Sequence, residues 1–157
     1  MKIKVEGLDE LEGYIRKRAD QIVQAYLDDL NFIGLKAVSF IRDRSTAESW
    51  EDQTGNLRSS IGYVIVRDGQ ILNKGGFGKV TGKTASDVDG SSEGSSYAER
   101  LARNYPTGYA LIIVAGMNYA AYVEAKENKD VLASGELFLK KEMAQLVERY
   151  NSKYGAK

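Results

Sequence analysis

Apolar residues recur at three- and four-residue intervals over the first quarter of the chain: Leu8, Leu11, Ile15, Ile22, Val23, Tyr26, Leu30, Ile33, Ala37, Val38 and Ile41. That spacing puts them on one face of a helix and predicts a single α-helix from about Asp9 to Arg44. Asp9 with Glu12 three residues on is a capping-box pair for its start. Ahead of the helix, Ile3 and Val5 alternate with Lys2, Lys4 and Glu6, the period of a short strand, and Gly7 ends it. A helix over that span would be roughly 54 Å long. A compact domain of this size is roughly 40 Å across. The helix must therefore break, with Gly34 the best-placed residue, or lie against another subunit.

Further on the period changes. Thr54-Gly55-Asn56-Leu57-Arg58-Ser59-Ser60 reads as a helical turn capped by Thr54. Ile61 to Arg67, with Tyr63, Val64, Ile65 and Val66, is strand material. Asp68-Gly69 is a preferred two-residue hairpin turn, and Gln70-Ile71-Leu72-Asn73 starts the return strand. From Gly75 to Ser96 the chain is dominated by Gly, Ser and scattered charges, which predicts a long, mobile loop. Tyr97, Leu101 and Tyr105 mark a short helix closed by Pro106. A buried strand follows at Tyr109–Ala115, then a short helix at Tyr119–Ala125. Ser134 is positioned to cap a last helix carrying Leu137, Phe138, Met143, Leu146, Val147, Tyr150 and Tyr154, which Gly155 closes. The fold class that results is α+β, a single domain spanning 1–157. A small antiparallel sheet is packed by the long N-terminal helix and the C-terminal helix.

Composition narrows the chemistry. The 157 residues include no Cys and no His, and 22 basic residues balance 22 acidic ones. Disulfides, thiolate metal sites, a cysteine nucleophile and a Ser-His-Asp triad are all excluded. The commonest general base and transition-metal ligand is missing too. Zero net charge disfavours a wholly basic nucleic-acid binder. The N-terminus lacks the apolar core of a signal peptide, and the longest apolar run, Ala110 to Ala115, is too short for a bilayer. No membrane association and no cofactor are expected.

Several motifs invite a catalytic reading. Gly82-Lys83-Thr84 ends like a phosphate-binding loop, but that loop needs a Gly separated from the Gly-Lys pair by four residues, and the position holds Phe77. Asp87, Asp89 and Glu93 are the candidates for a divalent metal, in spacing wrong for a calcium loop. A metal-dependent nuclease or hydrolase built on them is the competing function. Glu48, Glu51 and Asp52 can crowd around Trp50, which would raise a carboxylate pKa if they were buried. Arg16-Lys17-Arg18 and Arg42-x-Arg44 are basic clusters. They read better as the solvent face of a helix than as DNA contacts or a nucleic-acid-binding module.

Two segments taken together resemble the tail-completion, or tail-component, family of long-tailed bacteriophages. They are Asp52-Gln53-Thr54-Gly55-Asn56-Leu57-Arg58-Ser59-Ser60-Ile61 and Val114-Ala115-Gly116-Met117-Asn118-Tyr119-Ala120-Ala121-Tyr122-Val123-Glu124. The family has Thr-Gly-x-Leu-Arg-x-Ser-Ile before a strand, and a later strand leading into Tyr-Ala-x-Tyr-Val-Glu. With the helix pattern the likeness covers most of the chain outside roughly Phe77 to Tyr105. It implies a non-enzymatic structural protein of the virion tail or neck, assembled in the host cytoplasm. Such a protein forms a ring of its own copies against connector and tail-tube proteins. The candidate assembly or motif residues are Trp50, Thr54, Gly55, Leu57, Arg58, Tyr119, Tyr122 and Glu124. Arg58 has a planar head suited to a carboxylate; Glu124 is a candidate partner, inside one subunit or across to the next, the alternative being that both are ordinary surface charges.

Overall fold

The computed structural model describes residues 6–44, 50–126 and 131–155. The expected strand at Ile3 and Val5 and the acidic Glu48 lie outside these residues. In chain order the elements are α1 (Leu8–Arg42), α2 (Asn56–Ser59), β1 (Ile61–Arg67), β2 (Gln70–Gly75), α3 (Gly90–Ala102), β3 (Tyr109–Ala115), α4 (Ala120–Lys126) and α5 (Ala133–Tyr154). The fold is α+β, as its sequence pattern requires.

β1 is the centre of an antiparallel sheet ordered β2-β1-β3. Every residue from Ile61 to Val66 is buried, because helices cover both faces. Ile61, Tyr63 and Ile65 face a core built with Leu30, Ile33 and Ile41 of α1, and Leu146 of α5. Val64 and Val66 face the other way, to Ala98 and Ala102 of α3 and Ile112 and Val114 of β3. A strand buried on both sides reads as a continuous apolar run, and Tyr63-Val64-Ile65-Val66 is one. The Asp68-Gly69 hairpin forms as its residue types demand, both with positive φ (51° and 79°). Asp68 Oδ1 also accepts from the Gly108 N–H at 2.8 Å, tying the hairpin to the start of β3.

α1 is continuous over 35 residues and does not break at Gly34. Gly34 serves packing instead: the Tyr63 ring lies where its Cβ would be, 2.6 Å from the nearest ring carbon. The helix resolves its excess length by overhanging. All residues from Leu8 to Gln21 are exposed; Ile22, Tyr26 and Leu27 are half-buried, and full burial begins at Leu30. Tyr26 is the first substantial contact, edge-on to Tyr109 of β3 and to Tyr150 of α5. The helix starts two residues earlier than the Asp9–Glu12 capping box requires. Gly7, at φ 86°, is the N-cap and makes no side-chain cap bond, and Glu12 pairs with Arg16. Asp9 and Glu10 still complement the dipole of the first turn.

The Gly/Ser-rich stretch is not one loop. Gly75 ends β2, residues 76–89 are irregular, and α3 begins at Gly90, seven residues before the expected short helix. The small residues are there because α3 lies against backbone. Gly90, Gly94, Ala98 and Ala102 recur every fourth residue and are all buried. A Cβ on Gly90 would collide with Asn56, one on Gly94 with the Ser60 carbonyl, and one on Gly116 with Gly94 itself. Asp89 caps this helix, its Oδ1 accepting from Ser91 N–H at 3.0 Å. Glycine here trades helix propensity of about 1 kcal/mol for close approach.

Gly94→Ala tests that trade. The substitution should lower stability by about 1–3 kcal/mol despite alanine's better propensity, measured by urea unfolding. An increase in stability would show that α3 does not need the contact.

Candidate functional site

The tail-completion-like residues before β1 fold into one clasp. The chain leaves α1 at Arg42 and returns through Trp50 and Asp52 to α2, whose N-cap Gly55 sits at φ 80°. Thr54 is therefore not the cap; its Oγ1 accepts from the Asn56 N–H at 3.3 Å one residue further back. Asp52 Oδ1 accepts from the Gly55 N–H at 3.0 Å and closes the turn. Leu57 anchors it, 1% exposed in the main core.

Arg58 is the centre of the clasp. Its guanidinium stacks on the Trp50 ring, 4.6 Å from the centroid. Its Nε lies 3.4 Å from Asp52 Oδ2, and both side chains are 13% exposed. Nη2 donates to the Trp50 carbonyl at 3.2 Å and Nη1 to the Arg42 carbonyl. Arg42 answers in the opposite direction. Its Nε donates to the Arg58 carbonyl at 2.8 Å, and Nη2 donates to the carbonyls of Ser59 (3.3 Å) and Gly78 (3.0 Å). Burial lowers the Arg42 pKa, with neighbouring Arg58 acting the same way and Asp43 opposing it. The two arginines thus fasten the end of α1, the Trp50 segment, α2 and the irregular strap of residues 76–89 to one another. The planar fork suits several carbonyls at fixed angles.

The strap packs onto the same turn. Ser59 Oγ donates to the Gly55 carbonyl at 2.7 Å and accepts from the Val80 N–H at 2.8 Å. The Thr84 N–H donates to the Gln53 carbonyl at 2.8 Å. Gly55 and Gly82 face each other's backbone with no room for a Cβ. A polar cavity of about 380 Å³ remains between Thr54–Ser59 and the strap.

The second family-like segment is only partly drawn in. Tyr119 reaches the turn by a hydrogen bond with Thr54. Burial first, and then the Asp52 charge, raise its pKa, while the Thr54 bond lowers it. Tyr122, on α4, is exposed. Glu124 does not pair with Arg58 inside the subunit. Its Oε1 accepts the N–H groups of Leu132 and Ala133, both at 3.1 Å, and so caps α5 from a distance. Ser134 accordingly lies inside α5 rather than capping it. Arg58 takes Asp52 instead because the turn delivers that carboxylate locally.

The residues weighed for catalysis are dispersed. Asp89 is held by Ser91, whose hydroxyl bond does most to lower its pKa. Asp87 and Asp89 both line the polar cavity beside the strap, while Glu93 lines a different one next to Tyr97 and Arg100. Among the described residues no three acidic side chains converge on one point. Lys83 pairs with Glu51, whose pKa falls rather than rises because the Lys83 bond and charge outweigh desolvation. No helix follows Thr84 to aim N–H groups at a phosphate.

No protein-family model, no curated protein and no solved structure matches the chain. Among the described residues no helix is long and apolar enough to cross a membrane.

What the sequence alone did not bring together is Asp52 with Arg58, and Arg42 with the strap. Asp52 three residues before a positive-φ glycine is the pattern of a side chain closing a turn. That was the available signal. Nothing in the spacing points Arg42 at Gly78.

Arg58→Met keeps the stem over Trp50 and removes the donors. It should destabilise the fold by about 2–4 kcal/mol, by stranding Asp52 and two carbonyls in a buried setting. Urea unfolding monitored by Trp50 fluorescence measures this, and a loss below about 0.5 kcal/mol would mean the clasp is ornamental.

Proposed function

We propose that this chain is a structural virion protein of a phage or prophage. In this reading it completes the head-proximal end of the tail and joins it to the head–tail connector by assembling as a ring. The observation that carries the reading is the overhanging part of α1. Leu8, Leu11 and Ile15 form an apolar stripe on a helix whose residues from Leu8 to Gln21 are all exposed. An isolated helix of that length is marginal in water, and its stripe is stable only against a partner. The stripe continues in register into the buried face at Leu30 and Ile33, so it extends a core-forming surface beyond its own core.

The rest of the reading follows from the two family-like segments. Thr54, Gly55, Leu57 and Arg58 hold the scaffold rigid rather than offering groups for turnover, which is what a ring component needs. Chemistry is disfavoured because the arginine donors at the clasp are committed to carbonyls and to Asp52, and that carboxylate itself closes the turn by accepting from the Gly55 N–H. Heterologous contacts between the arm of one copy and the body of the next close into a ring when the rotation permits.

Native mass spectrometry of the purified chain is expected to give one closed stoichiometry. Leu11→Asp with Ile15→Asp should shift it to monomer with unchanged circular dichroism. In particles lacking the protein, filled heads and tails should fail to join under the electron microscope. A chain that stays monomeric, or particles that join normally without it, would contradict the proposal.

A further inference from the structure

The sheet has two outer edges, and only one is protected. On β2, Leu72 is an extra residue at a bulge, the outward Lys74 N–H is taken by Asn73 Oδ1 at 2.8 Å, and Lys74 itself pairs with Glu99. These are devices that stop a strand from adding. β3 has none of them. Its sequence, Tyr-Ala-Leu-Ile-Ile-Val-Ala, carries no charge, proline or bulge, and it pairs with β1 in unbroken register.

The register says which groups are open. The Gly108 carbonyl accepts from Asp68 and the Gly116 N–H donates to Ser60, so even-numbered residues of β3 bond to β1. The N–H and C=O groups of Tyr109, Leu111, Ile113 and Ala115 therefore point away from the sheet. No strand pairs with them among the described residues. Beside this edge, Ile113, Ile41, Leu132 and Leu139 line a mainly apolar cavity of about 470 Å³ between α1, β3 and α5.

We infer that this edge receives residues 2–6 of a second copy as an added strand. The alternation Lys2-Ile3-Lys4-Val5-Glu6 is that of a half-buried strand. It would set Ile3 and Val5 on the cavity side next to Ile113, with the lysines on the other face. The donor must come from another copy, because its own body is out of reach. Leu8 is about 27 Å along the helix from Tyr26, the residue that meets Tyr109. Ile113 lies roughly 13 Å further along β3. Residues 2–7, fully extended, cover only about 20 Å. The overhang that blocks self-insertion is the arm that delivers the strand to a neighbour. A strand this short buries too little alone for a stable interface, and the stripe on the arm contributes the remainder. The inference rests on the self-assembly part of the proposed function.

The absence of cysteine gives a direct test on the full-length chain. Ile3→Cys or Val5→Cys, mixed with Ile113→Cys under mild oxidation, should give a disulfide-linked dimer that neither variant forms alone. Deleting residues 2–6 should raise the concentration for half-assembly by at least about tenfold. Ile113→Pro should do the same while staying folded by circular dichroism, because the N–H it removes is not used in its own sheet. If the unaltered chain assembles but the deletion and the proline change nothing and no cross-link forms, strand addition is wrong and self-assembly stands. If the unaltered chain is monomeric at every concentration, both fall together.

Discussion

Burial of β1 on both faces is the constraint from which the rest of the molecule follows. A strand with Ile61, Tyr63 and Ile65 on one side and Val64 and Val66 on the other cannot be left half-solvated. One layer must come from α1 and α5, the other from α3. The sheet has only three strands, so the covering helices must approach closely. That explains a helix made of Gly, Ser and Ala: its fourth-residue stripe lets α3 lie on the backbone of Ser60 and Gly116. It also explains Gly34, whose missing side chain is the seat of the Tyr63 ring.

A second constraint is that long irregular segments must have their backbone groups satisfied without strands or helices. Two partly buried arginines do this. Arg42 and Arg58 each donate to the other's carbonyl, and between them they also hold Trp50, Ser59 and Gly78. Such an arrangement fixes geometry, although the buried Trp50 Nε1 is left without a hydrogen-bond acceptor and Asp52 Oδ2 meets the Arg58 guanidinium only as an ion pair at 3.4 Å. It ties α2, the strap and the N-terminal end of β1 to one another.

Much of this was legible in the residues. β1, the Asp68-Gly69 hairpin, β3, α4 and the long first helix announce themselves through period and turn chemistry. Where the reading failed, the cause was tertiary. Gly and Ser between 90 and 96 have low helix propensity, and only the proximity of Ser60 and Gly116 makes them the right residues for a helix. The cap of α5 comes from Glu124, eight residues before Leu132, and no local rule for N-caps looks that far. Glu124 was a candidate partner for Arg58, which instead takes Asp52, brought within 3.4 Å by the Gly55 turn. The overhang of α1 was foreseen as a mismatch of length. Its resolution is a continuous helix with an exposed arm instead of a break, and Gly34 serves as the seat of the Tyr63 ring.

The proposed assembly turns on the arm from Leu8 to Gln21 being a surface that another copy of the chain completes. Hydrogen exchange measured across a concentration series tests it most directly, because an unsupported helix opens readily and a docked one does not. The account predicts that amides in Leu8–Gln21 exchange fast in dilute protein and slow sharply as concentration rises, while those of β1 stay slow throughout. Fast exchange in the arm at every concentration, with β1 still protected, would contradict it.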